Sequence, residues 1–290
     1  MLSSLKKLSV RLWAGSFLLF SCLSPAQASM FASQTSSPAP TQAQETPSPS
    51  PSPTAQTGFS LQIIPTSSVQ AQDESPFRVL IYHTHTYEAF TATENYAYTA
   101  TEKWRTSNAQ RNVVALGAYL ADLLTQAGVS VTHDTSAFEP PNLSGAYERS
   151  LQMLEDRAAN GETYDLYIDL HRDAYSEGNG PNTVEIDGED VARLMFLIGK
   201  GTGQTGAGYD QKPDFESNYT IAQLLTNRLN LQAENLCRTV KVKSGRYNQH
   251  IAPCCILIEA GNNLNTLEET LRAMPYLCNA ICSLADGQIE

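Results

Sequence analysis

From Phe77 onward, short apolar runs alternate with segments of helical periodicity, and that alternation limits the fold of these 290 residues more than any other feature. Phe77 to Tyr82 reads as a strand apolar on both faces, the mark of a strand inside a parallel sheet. A helix is expected from Ala109 to Ala127. Ser107 offers an N-cap, Val113, Leu116, Leu120, Leu123 and Leu124 recur at helical spacing, and Gly128 supplies a left-handed stop. A strand at Val129 to His133, a helix at Ala146 to Ala159 and a strand at Leu166 to Leu170 follow. Val184 to Ile198 reads as a hairpin turning at Asp187-Gly188. A helix near Tyr219 to Leu236, strands at Thr239 to Lys243 and Ile256 to Glu259, and a helix from Leu267 to Leu284 complete the pattern. This order predicts a single α/β domain over residues 77–290, a mostly parallel sheet flanked by helices on both faces.

The preceding residues have a different character. Lys6, Lys7 and Arg11 lead into an apolar run from Leu12 to Leu23, and Ala26-Gln27-Ala28 follows, a secretory signal pattern over residues 1–29. The run falls short of the ~20 residues that cross a bilayer, so cleavage after Ala28 is the expected fate. A retained membrane anchor stays open, as does a lipoprotein through Leu19-Phe20-Ser21-Cys22. All three outcomes put the remainder outside the cytoplasm, membrane-anchored or associated with the cell wall. Residues 30–76 read as a Pro/Ser/Thr-rich disordered linker, since eight of the 15 prolines fall between Pro38 and Pro76. Such a spacer, reaching on the order of 100 Å, suits a domain that works away from its membrane; an unstructured tail without a role is the other reading.

With 19 Lys+Arg against 30 Asp+Glu and a net charge of -11, no general basic field exists to hold nucleic acid. Five cysteines follow the signal segment, an odd number that cannot all pair within one chain. Buried free thiols are expected, and the absence of a Cys-x-x-Cys pair argues against a thiolate zinc site. Gly201 to Gly206 spells GxGxxG, but a loop through Pro213 follows where a dinucleotide site needs a helix.

Ligands of open parallel sheets bind beyond the carboxyl ends of the strands. His83 and His85 stand just past the first expected strand, His171 past the third, and Glu259 at the end of the Ile256 strand, with Glu88 in reach from the loop. Imidazoles and a carboxylate around one open position are what a hydrolytic Zn2+ site uses, and a further carboxylate, Glu259, would move the proton. Each residue also has a structural alternative, a hydrogen-bonded histidine or a strand-end carboxylate capping backbone. His133, in the turn His133-Asp134-Thr135, reads as structural.

Six ordered segments resemble the stage II sporulation protein P family: VLIYHTHTYE (Val79 to Glu88), NVVALGAYL (Asn112 to Leu120), VTHDTS (Val131 to Ser136), DLHRDA (Asp169 to Ala174), YNQ (Tyr247 to Gln249) and ILIEAGNNLNTLEE (Ile256 to Glu269). The resemblance implies a zinc-dependent N-acetylmuramoyl-L-alanine amidase of peptidoglycan, with an associated cross-link endopeptidase activity, acting in engulfment during sporulation. It implies stage II sporulation proteins D and M as partners beside peptidoglycan. Carried over, His83, His85 and Glu88 match the first metal motif, His171 the second and Glu259 the catalytic glutamate, with one of His83 and His85 a ligand and the other its neighbour. Arg172 is a candidate grip for a stem-peptide carboxylate or half of a structural pair; Asn248 and Gln249 are candidate substrate contacts or turn formers. Two departures stand out: relatives often have an Asp after the Arg105-Thr106 position and a His-Asp where this chain has Phe138-Glu139. A non-catalytic wall-binding module that keeps the fold without a metal is the alternative function.

Overall fold

A computed structural model describes residues 76–174, 180–206 and 208–287. The expected signal segment (1–29) and the linker up to residue 75 lie outside them. The described elements run in the order β1 (Arg78–Tyr82), α1 (Val113–Gln126), β2 (Ser130–His133), α2 (Ala146–Ala159), β3 (Leu166–Asp173), β4 (Thr183–Ile186), β5 (Glu189–Ala192), β6 (Leu194–Gly199), α3 (Phe215–Gln232), β7 (Lys241–Lys243), β8 (Cys255–Asn262) and α4 (Leu267–Ala285).

Six strands form one sheet in the order β2-β1-β3-β8-β6-β7, and β4 with β5 forms a separate hairpin. All neighbours in the sheet are parallel except β6 and β8. Strand side chains alternate in direction, so Val79, Ile81, Leu166, Ile168, Leu170, Ile256 and Ile258 share one face. There they pack with Leu116 and Leu120 of α1, Leu225 and Leu229 of α3, and Met274, Leu277 and Ile281 of α4. Leu80, Tyr82, Tyr167 and Cys255 share the other face and meet Leu154 of α2. Helices therefore cover both faces as expected, three on one and a single helix on the other. The five described cysteines are all free.

Two expectations change. Asn112, not Ser107, caps α1, its side-chain oxygen accepting from the Val114 N–H at 3.0 Å. The expected hairpin over Val184 to Ile198 divides: β4 and β5 turn on Asp187 and Gly188, both at positive φ, while β6 enters the main sheet antiparallel to β8. All six residues of β6 are buried, and an isolated hairpin cannot cover a strand apolar on both faces. Gly201 to Gly206 lies in a loop, and α3 starts only at Phe215.

Candidate active site

Because β1, β3 and β8 are parallel neighbours, their carboxyl ends open onto one edge. The register sets His171 beside Glu259. The turn after β1 adds two side chains: Glu88 Oε2 lies 3.3 Å from His171 Nδ1, and the His85 ring stands edge-on to that of His171 at 5.3 Å between centroids. That turn is held from three sides. Thr84 donates its backbone N–H and its hydroxyl to Asp169 at 2.8 and 2.7 Å. Thr86 Oγ1 accepts from the Phe138 N–H, and the Glu88 carbonyl accepts from the Val113 N–H at 2.9 Å.

Their surroundings give the four groups different protonation. Burial, aided by the neighbouring His171, lowers His85 to about 4, which leaves a neutral imidazole with a free lone pair. Burial opposes ionisation of Glu88, but Arg172 and His171 outweigh it and hold the carboxyl at about 2. Burial likewise disfavours charge on His171, yet Asp169, 2.8 Å from Nε2, and Glu88 outweigh it and raise the imidazole well above its usual 6.5. Glu259 is half-buried as a residue, but its Oε2 is sealed from solvent without a hydrogen-bond partner. Burial pushes that carboxyl up to about 7 against the pull of His171.

The structure brings His85, Glu88, His171 and Glu259 together and leaves His83 out. Strand alternation sends His83 to the three-helix face with Val79 and Ile81. There it is wholly buried, Nδ1 2.8 Å from the Leu170 carbonyl and Nε2 2.9 Å from His133 Nε2. Of the two histidines in the turn, the one beside the cluster is therefore His85, while His83 and His133 fill space under Gly117 of α1. A Cβ on Gly117 would lie 2.5 Å from His83 Nε2.

The expected substrate contacts also move. Arg172 is buried and turned inward, donating from Nε to the Ala89 carbonyl and from Nη2 to that of Trp104, with Nη1 3.5 Å from Glu88 Oε1. It fastens the turn and lies against Glu88. Asn248 donates to the Tyr147 carbonyl and Ser150 Oγ. Gln249 bridges the Gly199 N–H and the Leu197 carbonyl. Both amides are committed within the fold.

Three residues escaped the sequence reading. Asp169, 1% exposed, sits two residues before His171 on the same strand face and backs its ring; that i, i+2 spacing was the available signal. Glu139 pairs with Arg105 and lies 3.7 Å from His85 Nδ1, so the departure at Phe138-Glu139 still brings a carboxylate to the site. Tyr147 stands edge-on to His85 at 5.4 Å and to Tyr247 at 5.9 Å. The two tyrosines open a groove of about 530 Å3 beside the cluster, lined also by Gln204, Tyr209, Arg246 and Asn248. A larger hollow of about 760 Å3, lined by Tyr119, Val191 and Leu271, holds none of the cluster.

Two imidazoles flanked by carboxylates form a donor set that suits a divalent cation such as zinc. His85, already neutral, and Glu88, already ionised, are in the forms a metal binds, and the carboxylates on either side of His171 call for positive charge between them. Among the described residues, no three such side chains yet close around one point.

A profile described as Stage II sporulation protein P (SpoIIP) matches residues 24–282. The Stage II sporulation protein P of Bacillus subtilis (strain 168) is 27% identical over 226 residues, 72% of this chain and 53% of that protein. The chain thus spans about half the length of this curated relative. Three solved structures are similar at low identity. The catalytic domain of CwlV, an N-acetylmuramoyl-L-alanine amidase from Bacillus (Paenibacillus) polymyxa var. colistinus, is 10% identical at a TM-score of 0.44, covering 72% of this chain and 98% of its own. The CwlD amidase from Clostridioides difficile in complex with the GerS lipoprotein is 12% identical at 0.44, covering 72% and 96%. The N-acetylmuramoyl-L-alanine amidase AmiC2 of Nostoc punctiforme is 15% identical at 0.40, covering 73% and 96%.

Proposed function

The chain belongs to the Stage II sporulation protein P family, and from that premise we propose that it is a peptidoglycan hydrolase of sporulation that cuts the amide between N-acetylmuramic acid and L-Ala of the stem peptide. The observation that carries this reading is the meeting of His85, Glu88, His171 and Glu259 on one sheet edge. Zinc held by His85, Glu88 and His171 would supply the Lewis acidity and water activation that a neutral amide requires.

The chain's own groups account for the proton. Glu259 takes one from the attacking water as the water oxygen bonds to the carbonyl carbon. It returns that proton to the leaving nitrogen as the C–N bond breaks, freeing the peptide amine. A carboxyl raised towards neutrality by burial suits both halves of that transfer. Asp169 fixes the His171 ring, and Glu139 with Arg105 braces the His85 side of the site. Residues 1–76 would serve as export signal or anchor and spacer, placing the domain in the wall, with stage II sporulation proteins D and M as companions.

One observation favours a non-catalytic wall-binding module: among the described residues the donors do not yet surround a point. Digestion of purified peptidoglycan by the zinc-loaded chain separates the two, with products identified by mass. Free stem peptides ending in an L-Ala amine are expected; their absence would reject hydrolysis of this bond, and cut cross-links would reveal endopeptidase activity.

A further inference from the structure

The groove beside the cluster has walls fixed by the fold. The loops 200–206 and 244–247 lie on one another: the Gly201 N–H donates to the Gly245 carbonyl at 3.0 Å and the Gly203 N–H to that of Ser244 at 2.8 Å. Lys212 Nζ ties the first loop back by donating to the Gly201 and Gln204 carbonyls. A Cβ on Gly203 would lie 2.9 Å from Ser244 Oγ, and one on Gly199 would collide with the Gly245 carbonyl. Arg246 stands on this wall with its guanidinium 4.7 Å from the centroid of the Tyr209 ring and Nη1 donating to the Gly208 carbonyl. It is the one cation among the lining residues, which also include the carboxylate of Glu148, and among the described residues neither Glu148 nor any other carboxylate forms an ion pair with it, in a chain whose acids outnumber its bases 30 to 19. A guanidinium held in place by an aromatic ring and a backbone carbonyl, within a tyrosine-lined groove, matches a carboxylate on a peptide.

Resting on the hydrolase reading, we propose that this groove binds the stem peptide and that Arg246, not Arg172, pairs with a carboxylate of that peptide, so that acid-bearing stems are preferred over their carboxamides. The test uses the full chain and paired soluble muramoyl peptides differing only by a free carboxylate or its amide. A charge-assisted hydrogen bond predicts about a tenfold higher kcat/KM for the acid form, carried in KM. Arg246→Ala erases the preference by raising KM for the acid form alone. Comparison within one variant cancels any loss of folded protein. Equal rates on both forms by the unaltered chain, or a preference that survives Arg246→Ala, would overturn the proposal. Calorimetric binding of both peptides to the Glu259→Gln protein, with and without Arg246→Ala, repeats the comparison without turnover. If the unaltered chain cuts neither peptide, the hydrolase reading fails, while the acid-to-amide affinity ratio still decides the role of Arg246.

Discussion

The two faces of the sheet are built on different terms. Three helices seal one face with aliphatic side chains, and His83, pointing that way, is absorbed into the core against His133. A single helix covers the other, and α2 is fastened there by charge as well as by apolar contact. Arg157 Nη2 pairs with Asp134 at 2.7 Å and Nη1 with Glu162 at 2.6 Å. Where that thinner layer stops, the strand ends present His171 and Glu259, and the turn returns His85 and Glu88 to meet them. His83 and His85 are two residues apart and of the same type, yet one packs a core and the other stands among His171 and Tyr147 at the strand ends. The polar cluster sits where coverage runs out; residues two apart on one strand would share a face, so it is the turn after β1 that carries His85 there and leaves His83 in the core.

That contrast can be broken at several points. Glu259→Gln keeps the shape and removes the proposed proton carrier; peptide release should fall on the order of 10²- to 10⁴-fold while the thermal midpoint holds. Asp169→Asn leaves the His171 ring without its anionic backing and should lower zinc affinity about 10- to 100-fold, read by competition with a chelating dye. On the sealed face, Gly117→Ala should cost about 1–3 kcal/mol of stability through overpacking against His83 and His133. This loss would appear in urea titration despite the roughly 1 kcal/mol that alanine adds to a helix. The smallest effect concerns the fastening of α2. Burial opposes the charge on Asp134, but hydrogen bonds from Arg157 and Ser136 outweigh it and lower the carboxyl below its usual 3.8. The stabilisation is then complete above the unfolded value and lost as pH falls through the folded one. From about pH 5 to about pH 2, the urea midpoint of the unaltered chain should drop further than that of Arg157→Met. Equal drops would show that the ion pair does not hold the thin face.

Much of this was legible in the sequence. α2 stands at Ala146–Ala159 as expected, with Leu154 turned into the core, and the gathering of His85, His171 and Glu259 follows from strand order and the rule of carboxyl ends. The antiparallel entry of β6 was not legible, because a run buried on both faces reads the same in either direction. His83 was ambiguous for a related reason: β1 is apolar on both faces, so composition did not say which way its next residue should point. Glu139 reaches His85 and Arg105 across long separations in sequence, contacts with no local pattern. The commitments of Arg172, Asn248 and Gln249 were not legible because most of their partners are backbone groups, which every sequence has and none displays.

The central claim is that the end of β1 and the turn that follows divide two similar histidines, His83 to the core and His85 to the candidate site. Zinc equivalents measured by mass spectrometry on the folded full chain, prepared metal-replete, test it directly. About one equivalent is predicted for the unaltered chain and for His83→Asn, against less than about a tenth of an equivalent for His85→Asn. Zinc lost from folded His83→Asn but kept by His85→Asn, or absent from the unaltered chain, would contradict it.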